Sequence, residues 1–273
     1  MSAAPQTRWN ASMSETVIAA QTYTIHRFMQ TFPGNATALA KLRAMGYEAV
    51  EVSAFGSRDR SQLTQILKDT GLTVTAVHTR WQRLVEDIDA IIKELHAWDC
   101  KHAVLSSIPY AYLTAQQIAK FAAMAEGVGR KLAEASIQFS YHVTTRALKK
   151  VADDDGNRKT LLEMLLENAD PRYLKAQIDT YHIQIGGGDP AEWIRKYSDR
   201  CPMLHLKDMT VGPNGATRFA EVGEGNLNWP AILAAAKQAK VRWYCVEQDD
   251  CYDRDPFDSL KISLDNLHAM GLR

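Results

Sequence analysis

The sequence contains few cysteines, and they are widely separated. The 273 residues include four cysteines, none of which lies in a CxxC pair or at the spacing of a zinc ribbon. This pattern excludes a disulfide-rich scaffold and is typical of proteins in a reducing compartment. The four are Cys100, Cys201, Cys245 and Cys251.

Long hydrophobic runs are absent as well. The N-terminal segment MSAAPQTRWNASMSET lacks the apolar stretch of a signal peptide. The sequence also contains no run of about 18 apolar residues, which is the length needed to span a bilayer. We therefore expect a cytoplasmic protein with no membrane partner. Residues 1–15 are expected to form a flexible lead-in, and residues 16–273 a single catalytic domain.

Neither sign of charge is in excess. Lys and Arg total 32 residues, Asp and Glu also total 32, and the formal net charge is zero. Such a chain lacks the broad positive field that attracts proteins to nucleic acids, so we expect no nucleic-acid partner. The contents of hydrophobic residues, 46%, and charged residues, 23%, are ordinary for a globular protein.

Short β-rich segments alternate with longer helical patterns along the whole chain. This alternation predicts parallel strand pairing, because parallel neighbours need a crossover connection. Eight such units match the length of a single closed (β/α)8 TIM barrel. A doubly wound open sheet is the alternative, but the GxGxxG motif that would favour it is absent after the first strand. The predicted strands are residues 17–25, 48–53, 72–78, 102–107, 137–142, 174–179, 203–208 and 243–248.

Helical periodicity and capping residues occupy the segments between these strands. Leu39 and Leu42 recur at helical spacing, and Gly46 provides a stop signal. Asp189 followed by Pro190 is typical of a helix N-terminus, and the same pattern recurs near residues 229 and 256. The predicted helices are residues 36–46, 60–71, 84–98, 115–135, 159–169, 190–200, 229–240 and 256–271.

The last polar residues of predicted strands five to eight are all of metal-ligating types. In a (β/α)8 barrel the carboxyl ends of the strands meet at one face, which carries the active site. A single His or Asp at a strand end has an ordinary explanation as a turn or surface residue, but four on successive strands favour a shared site. Two imidazoles and two carboxylates suit a divalent ion such as Mn²⁺, Co²⁺, Fe²⁺, Mg²⁺ or Zn²⁺. The predicted ligands are His142, Asp179, His205 and Glu247.

Other polar residues near strand ends are candidates for substrate contacts. His26 follows the first strand, Glu51 lies in the second and His78 closes the third. Glu221 belongs to the glycine-containing segment 219–230, which is a candidate for a mobile cover over the site. For Glu51, a structural ion pair inside the barrel mouth is the alternative.

Two more residues near the predicted ligands could take part in chemistry. Lys207 lies two residues after His205 and therefore on the same strand face, and His182 lies three residues after Asp179. An ion pair of Lys207 with Asp208 or Glu247 is the alternative to a substrate contact.

Several segments resemble the xylose isomerase-like TIM barrels, specifically the sugar phosphate isomerase/epimerase superfamily. The resemblance is strongest at residues 178–209, which contain D-x-x-H, GGG-D-P and HLKD, and at residues 221–233, which contain VGEG. It implies a divalent ion held by a Glu, an Asp, a His and a second Glu from strands five to eight. Asp179, His205 and Glu247 match the last three.

The chain departs from this pattern at the first ligand. The segment 141-YHVT-144 places His142 where the epimerases of the superfamily have a Glu. In those epimerases, two metal-bound glutamates are thought to act as base and acid on opposite faces of the substrate. Only Glu247 remains here, which favours a one-base isomerisation or an elimination of the inosose dehydratase or keto-sugar lyase kind.

The resemblance therefore implies a metal-dependent enzyme with a small carbohydrate substrate, either a sugar, a keto-sugar or an inosose. Glu247 would remove the proton next to the carbonyl, and Lys207 or His182 would stabilise the enediolate. The alternatives are a dehydratase or lyase, a binding relative without catalysis, and an apurinic endonuclease with more metal ligands and a basic groove. Members of the group often form dimers or tetramers, so a homo-oligomer is compatible with the sequence.

Overall fold

Eight strands line the centre of the molecule. The structure, a computed structural model, describes residues 16–53, 60–153 and 156–273, so the lead-in predicted for residues 1–15 lies outside the described residues. The strands are β1 (Val17–Gln21), β2 (Ala49–Val52), β3 (Thr73–Thr79), β4 (His102–Leu105), β5 (Gln138–His142), β6 (Lys175–Asp179), β7 (Met203–Leu206) and β8 (Trp243–Val246).

These strands close into a parallel barrel. Around the barrel the order is β1, β8, β7, β6, β5, β4, β3 and β2. The barrel closes because β1 pairs with β8 on one side, with Ala19 opposite Cys245, and with β2 on the other, with Ala19 opposite Ala49. The predicted (β/α)8 barrel is confirmed, and the open-sheet alternative is excluded.

Every crossover between consecutive strands contains at least one α-helix, as parallel pairing requires. Predicted caps are confirmed, since the Asp189 side chain accepts a hydrogen bond from the Glu192 amide with Pro190 in the first turn. The helices are α1 (Phe32–Met45), α2 (Arg60–Thr70), α3 (Trp81–Glu86), α4 (Ile88–Ala97), α5 (Ala115–Glu134), α6 (Leu161–Glu167), α7 (Thr180–Ile185), α8 (Pro190–Lys196), α9 (Trp229–Gln238) and α10 (Pro256–Ala269).

The structure differs from the predicted elements in several places, one of which is the unpredicted helix α7. The first predicted strand ends early, because residues Thr22–Phe28 form a 3-10 helix. The helix predicted at 84–98 is two helices, because Asp87 has non-helical dihedral angles (φ −143°, ψ 38°). Two short antiparallel hairpins were not predicted: Lys150–Ala152 with Arg158–Thr160, and Asp208–Val211 with Thr217–Ala220.

The barrel interior changes from apolar to polar along its length. Because strand side chains alternate between the two faces, every second residue points inward. Small apolar clusters occupy the part nearer the amino ends of the strands. One is formed by Ala19, Ala49 and Cys245, and another includes Ala76 and Met203. The next inward positions toward the strand carboxyl ends carry the polar residues described below. Within the part of the chain that the structure describes, no helix is long and apolar enough to cross a membrane.

Candidate metal centre

Four side chains that the sequence analysis singled out converge at the carboxyl ends of β5 to β8. His142 and Asp179 are the last residues of β5 and β6, His205 lies in β7, and Glu247 directly follows β8. Each offers one nitrogen or oxygen atom, and these four atoms lie within 4.8 Å of one another. All four residues are buried. We refer to them as the four-residue cluster.

The donor set of this cluster fits a divalent cation. His142 Nε2 lies 3.2 Å from Asp179 Oδ2, and His205 Nδ1 lies 2.8 Å from Glu247 Oε2. Both atoms of the second pair belong to buried residues, and Glu247 Oε2 also lies 2.7 Å from Lys207 Nζ. A carboxylate oxygen only accepts hydrogen bonds, so either a proton on Nδ1 or a cation has to lie between Nδ1 and Oε2. Imidazole nitrogens and carboxylate oxygens are ligands of Zn²⁺, Mn²⁺, Fe²⁺ and Co²⁺, so a cation would satisfy both atoms.

Lys207 lies against the cluster and is 2% exposed. Its Nζ is 2.7 Å from Glu247 Oε2, 3.3 Å from Asp179 Oδ2 and 2.8 Å from Asp249 Oδ1. The Thr180 hydroxyl fixes the backbone, since it accepts from the Lys207 amide at 3.0 Å and donates to the Lys207 carbonyl at 2.7 Å. Lys207 thus pairs with Glu247, one of the partners that the sequence suggested.

Burial and these charges set the ionisation of the site. Burial alone would lower the pKa of Lys207, but Asp179, Glu247 and Asp249 outweigh it and raise that pKa well above its ordinary value. Burial alone would raise the pKa of Glu247, but the charges of Lys207 and His205 hold it well below its ordinary range. Lys207 is therefore a fixed cation, and Glu247 is an ionised carboxylate at neutral pH.

The two imidazoles of the cluster differ in charge. Burial, together with the charge of His205, lowers the pKa of His142 to about 3, so His142 is neutral and has a lone pair available. Burial also acts to lower the pKa of His205, but Glu51 and Glu247 reverse the effect and raise it well above its ordinary value. A proton and a metal ion would therefore compete for His205.

A second polar group lies on the other side of His205. Glu51 is fully buried in β2, and its two oxygens accept from four donors. Burial would raise the pKa of Glu51, but the charges and hydrogen bonds of His205 and His78 hold it well below its ordinary range. The donors are Gln177 Nε2 at 2.7 Å, His78 Nε2 at 3.1 Å, His205 Nε2 at 2.5 Å and Gln21 Nε2 at 3.3 Å. We call these five residues the Glu51 network.

His182 lies beside His142 at the rim. Its backbone amide donates to Asp179 Oδ1 at 2.9 Å, so Asp179 both joins the cluster and caps α7. Its Nδ1 lies 2.8 Å from the Thr145 hydroxyl, and the His142 and His182 ring centroids are 5.8 Å apart. The predicted catalytic role of His182 remains a prediction.

Two residues predicted to contact substrate have partners elsewhere. The His26 ring stacks on Tyr23 with centroids 4.9 Å apart, and His26 Nδ1 lies 2.7 Å from the Tyr23 carbonyl oxygen. Glu221 Oε1 accepts from the Ser259 hydroxyl at 2.7 Å and pairs with Arg254 at 2.8 Å. These contacts, within the described residues, do not join either residue to the four-residue cluster.

Asp208 anchors the segment that was predicted to be a mobile cover. Both carboxylate oxygens of Asp208 accept hydrogen bonds from this segment, and its approach is close enough that a Cβ at Gly225 would lie 2.3 Å from Asp208 Oδ1. Asp208 therefore binds the segment at several points. The donors from the segment are the amides of Gly223, Gly225 and Leu227 and the indole Nε1 of Trp229, and the adjacent Met209 amide also donates to Asp208.

Sequence reasoning missed several polar residues of the site, including Gln21, Thr180, Asp249 and Gln177. Asp249 pairs with Lys207, and Gln177 donates to Glu51. Both lie two residues from a residue of the four-residue cluster, Asp249 after Glu247 and Gln177 before Asp179. The two-residue period of a strand could have placed Gln177 on the inner face.

Several known proteins are similar to this chain in sequence or in fold. A protein from Geobacillus kaustophilus named inosose dehydratase is 23% identical over 194 residues, which are 63% of this chain and 61% of that protein. The chain thus spans less than two thirds of the length of this curated relative. A crystal structure of a sugar phosphate isomerase/epimerase from Parabacteroides distasonis matches with a TM-score of 0.77 at 21% identity, covering 95% of this chain and 96% of that chain. An L-ribulose 3-epimerase matches with a TM-score of 0.71 at 15% identity, covering 95% of each chain.

The family itself is identified over most of the chain. The profile described as xylose isomerase-like TIM barrel matches residues 39–268. This range includes strands β2 to β8 and all four residues of the cluster. The resemblance seen in the sequence is confirmed: the chain belongs to the xylose isomerase-like TIM barrel family.

Proposed function

We propose that this protein is a divalent-metal-dependent enzyme of the isomerase, epimerase or dehydratase type that acts on a sugar, a keto-sugar or an inosose. The observation that carries the proposal is the convergence of one nitrogen or oxygen atom from each of four buried residues within 4.8 Å of one another, with His205 Nδ1 and Glu247 Oε2 2.8 Å apart. The names of the related proteins, inosose dehydratase and L-ribulose 3-epimerase, support a polyol-like carbonyl substrate.

The four-residue cluster would hold the ion through His142, Asp179, His205 and Glu247. A bound divalent ion supplies Lewis acidity, which polarises a carbonyl and acidifies the adjacent C–H bond. His142 suits this role because it is neutral, and Asp179 suits it because its second oxygen is already fixed by the His182 amide.

Glu247 is the proposed general base. It is ionised and 6% exposed, whereas Asp179 and His205 are completely buried, so Glu247 can reach a substrate at the barrel mouth. Glu247 takes the proton from the carbon next to the carbonyl, and the C–H electrons move toward the carbonyl oxygen to give an enediolate. Lys207, a fixed cation beside Glu247, stabilises the negative charge that develops on that oxygen.

Elimination is a second candidate outcome of the same proton removal. In isomerisation, Glu247 returns the proton to the neighbouring carbon, and the hydroxyl proton of the enediolate moves to the other oxygen. In elimination, the protonated Glu247 gives the proton to the departing β-hydroxyl group, which leaves as water, and a dehydrated product remains. His142 favours elimination, because it replaces the second glutamate that a two-base epimerisation needs. The relative named inosose dehydratase also favours it.

Solvent exchange tests the shared first step. Metal-free protein, prepared with a chelator, is incubated in D₂O with a panel of keto-sugars and inososes, with and without added Mn²⁺. We expect deuterium to enter the position next to the carbonyl of at least one compound only when Mn²⁺ is present. Mass analysis of the products then separates an isomer from a product that has lost water. No exchange with any compound, or full exchange without metal, contradicts the proposal.

A further inference from the structure

Glu51 contacts the nitrogen of His205 that faces away from the four-residue cluster. His205 Nε2 lies 2.5 Å from Glu51 Oε2, while His205 Nδ1 lies 2.8 Å from Glu247 Oε2. Both Glu51 and His205 are completely buried. The imidazole of His205 thus bridges two carboxylates, one through each ring nitrogen.

The two ring nitrogens have different surroundings. Nε2 lies 2.5 Å from Glu51, which is outside the four-residue cluster, whereas Nδ1 lies 2.8 Å from Glu247 and 3.7 Å from Asp179, which belong to it. A metal ion in the cluster would replace a proton on Nδ1, and the one remaining imidazole proton would then lie on Nε2, where Glu51 accepts it. That tautomer leaves the Nδ1 lone pair pointing toward Glu247 and the other residues of the cluster.

We infer that Glu51 is a positioning residue, which fixes the Nε2–H tautomer and the ring orientation of His205 so that Nδ1 can bind the metal ion. The inference rests on the proposed metal site and extends it to a residue outside the ligand set. Carboxylates that accept the free N–H of a metal-bound histidine are a recurring feature of metal sites, where they orient the ring and strengthen the ligand.

The other residues of the Glu51 network occupy the remaining acceptor positions of the Glu51 carboxylate. Gln177 and His78 occupy Oε1, and Gln21 adds a weaker contact to Oε2, so four donors saturate the carboxylate. The Gln177 amide is oriented in turn, because its Oε1 lies 3.1 Å from His78 Nε2. The role inferred for Glu51 corresponds to the structural ion pair inside the barrel mouth, which the sequence analysis gave as the alternative to a substrate contact.

Glu51, His78 and His205 also form a compact group that could hold an ion of its own. The two arrangements differ in stoichiometry. If Glu51 positions His205, each chain binds one ion, whereas a second site would require two. An ion at the second site would also need His205 Nε2 as a ligand, which would remove its hydrogen bond to Glu51.

The first test measures metal affinity and does not depend on activity. Mn²⁺ and Zn²⁺ are titrated into metal-free wild type and into Glu51→Gln by calorimetry. We expect one ion per wild-type chain and a dissociation constant that rises about 10- to 100-fold in Glu51→Gln. Thr75→Val is the matched control: it removes the buried hydroxyl that donates to the Val50 carbonyl in the same barrel interior without touching His205. We expect its dissociation constant to stay within about twofold of wild type.

The second test reads the tautomer in the wild type, so it does not require that Glu51→Gln folds. Protein labelled with ¹⁵N-histidine and loaded with Zn²⁺ is examined by long-range ¹H–¹⁵N correlation, with His205→Asn used to assign the signals. We expect a protonated Nε2 and a metal-shifted Nδ1 for His205.

Different failures point to different errors. An unchanged affinity of Glu51→Gln, or a His205 protonated on Nδ1, overturns the inference and leaves the proposed function standing. Two ions per chain, one of which is lost in Glu51→Gln, replaces it with direct ligation by Glu51. If wild type binds no divalent ion, the proposed function and this inference both fail.

Discussion

His205 Nδ1 and Glu247 Oε2 lie 2.8 Å apart in the barrel, in direct contact. Because a carboxylate oxygen only accepts hydrogen bonds, either a proton on Nδ1 or a metal cation has to lie between the two atoms. Lys207 partly neutralises the oxygen, at 2.7 Å, but it cannot donate to the nitrogen as well as to its three carboxylates. The pair is therefore the feature of this barrel that most directly indicates a metal-binding function.

Glu247→Gln should abolish proton removal. The amide keeps the shape of the side chain but cannot act as a base, so we expect deuterium exchange into the substrate to fall by about 10²–10⁴-fold. Glu167→Gln, on the surface in an ion pair with Lys159, is the control and should exchange at the wild-type rate. Wild-type exchange by Glu247→Gln would show that another group is the base.

Lys207→Met should destabilise the metal-free protein more than the Mn²⁺-loaded protein. The substitution leaves Asp179 and Glu247 buried without their cation, at a cost of about 3–5 kcal/mol when no other cation is bound. Urea unfolding with and without Mn²⁺ measures the difference. Lys131→Met removes an exposed pair with Asp89 and should cost less than about 1 kcal/mol in both states. An equal loss with and without Mn²⁺ would indicate that Lys207 does not compensate the charge of the cluster.

Asp208→Asn should loosen the segment that precedes α9. The amide that replaces one oxygen would face backbone donors such as the Gly223 and Gly225 amides, so we expect a loss of about 3 kcal/mol in the free energy of unfolding. Limited proteolysis should then cleave within residues 221–228. Asp199→Asn, at an exposed position, is the control and should leave both readouts unchanged. Protection equal to wild type would mean that Asp208 is not the anchor.

The stability of the fold should fall in mild acid because of His102. His102 is the first residue of β4, and desolvation there lowers the pKa of His102 to about 4 from the ordinary value of 6.5. A His whose folded-state pKa is lowered binds its proton less well when folded, so its contribution to stability is complete above about pH 6.5 and is lost as the pH falls toward 4.

His102→Gln should flatten this pH dependence, which urea unfolding at pH 7, 5.5 and 4 would measure. The exposed His268→Gln is the control and should retain the wild-type profile. The assignment is wrong if wild type and His102→Gln lose stability in parallel across this range.

The barrel and the four-residue cluster could be predicted from the sequence because both follow local rules. Strands and helices alternate visibly, and the carboxyl ends of parallel strands always meet at one face. His142, Asp179 and His205 therefore had to approach one another once the fold was known.

The remaining parts of the site depend on contacts between distant residues. Gln177 and Glu51 are 126 residues apart, and nothing in either local segment indicates that one binds the other. The hairpin that begins at Asp208 was not predicted, because an aspartate directly after a strand is typical of an ordinary turn. His26 and Glu221 were assigned to the substrate by position alone, and the sequence gave no sign of their contacts with Tyr23 and Ser259.

The most direct test of the account is a crystal structure of the protein grown with Mn²⁺, with anomalous scattering used to locate the ion. We predict one strong peak per chain, with His142 Nε2, His205 Nδ1 and oxygens of Asp179 and Glu247 at about 2.0–2.3 Å. No peak among these four side chains, with the protein at millimolar Mn²⁺, would contradict the account.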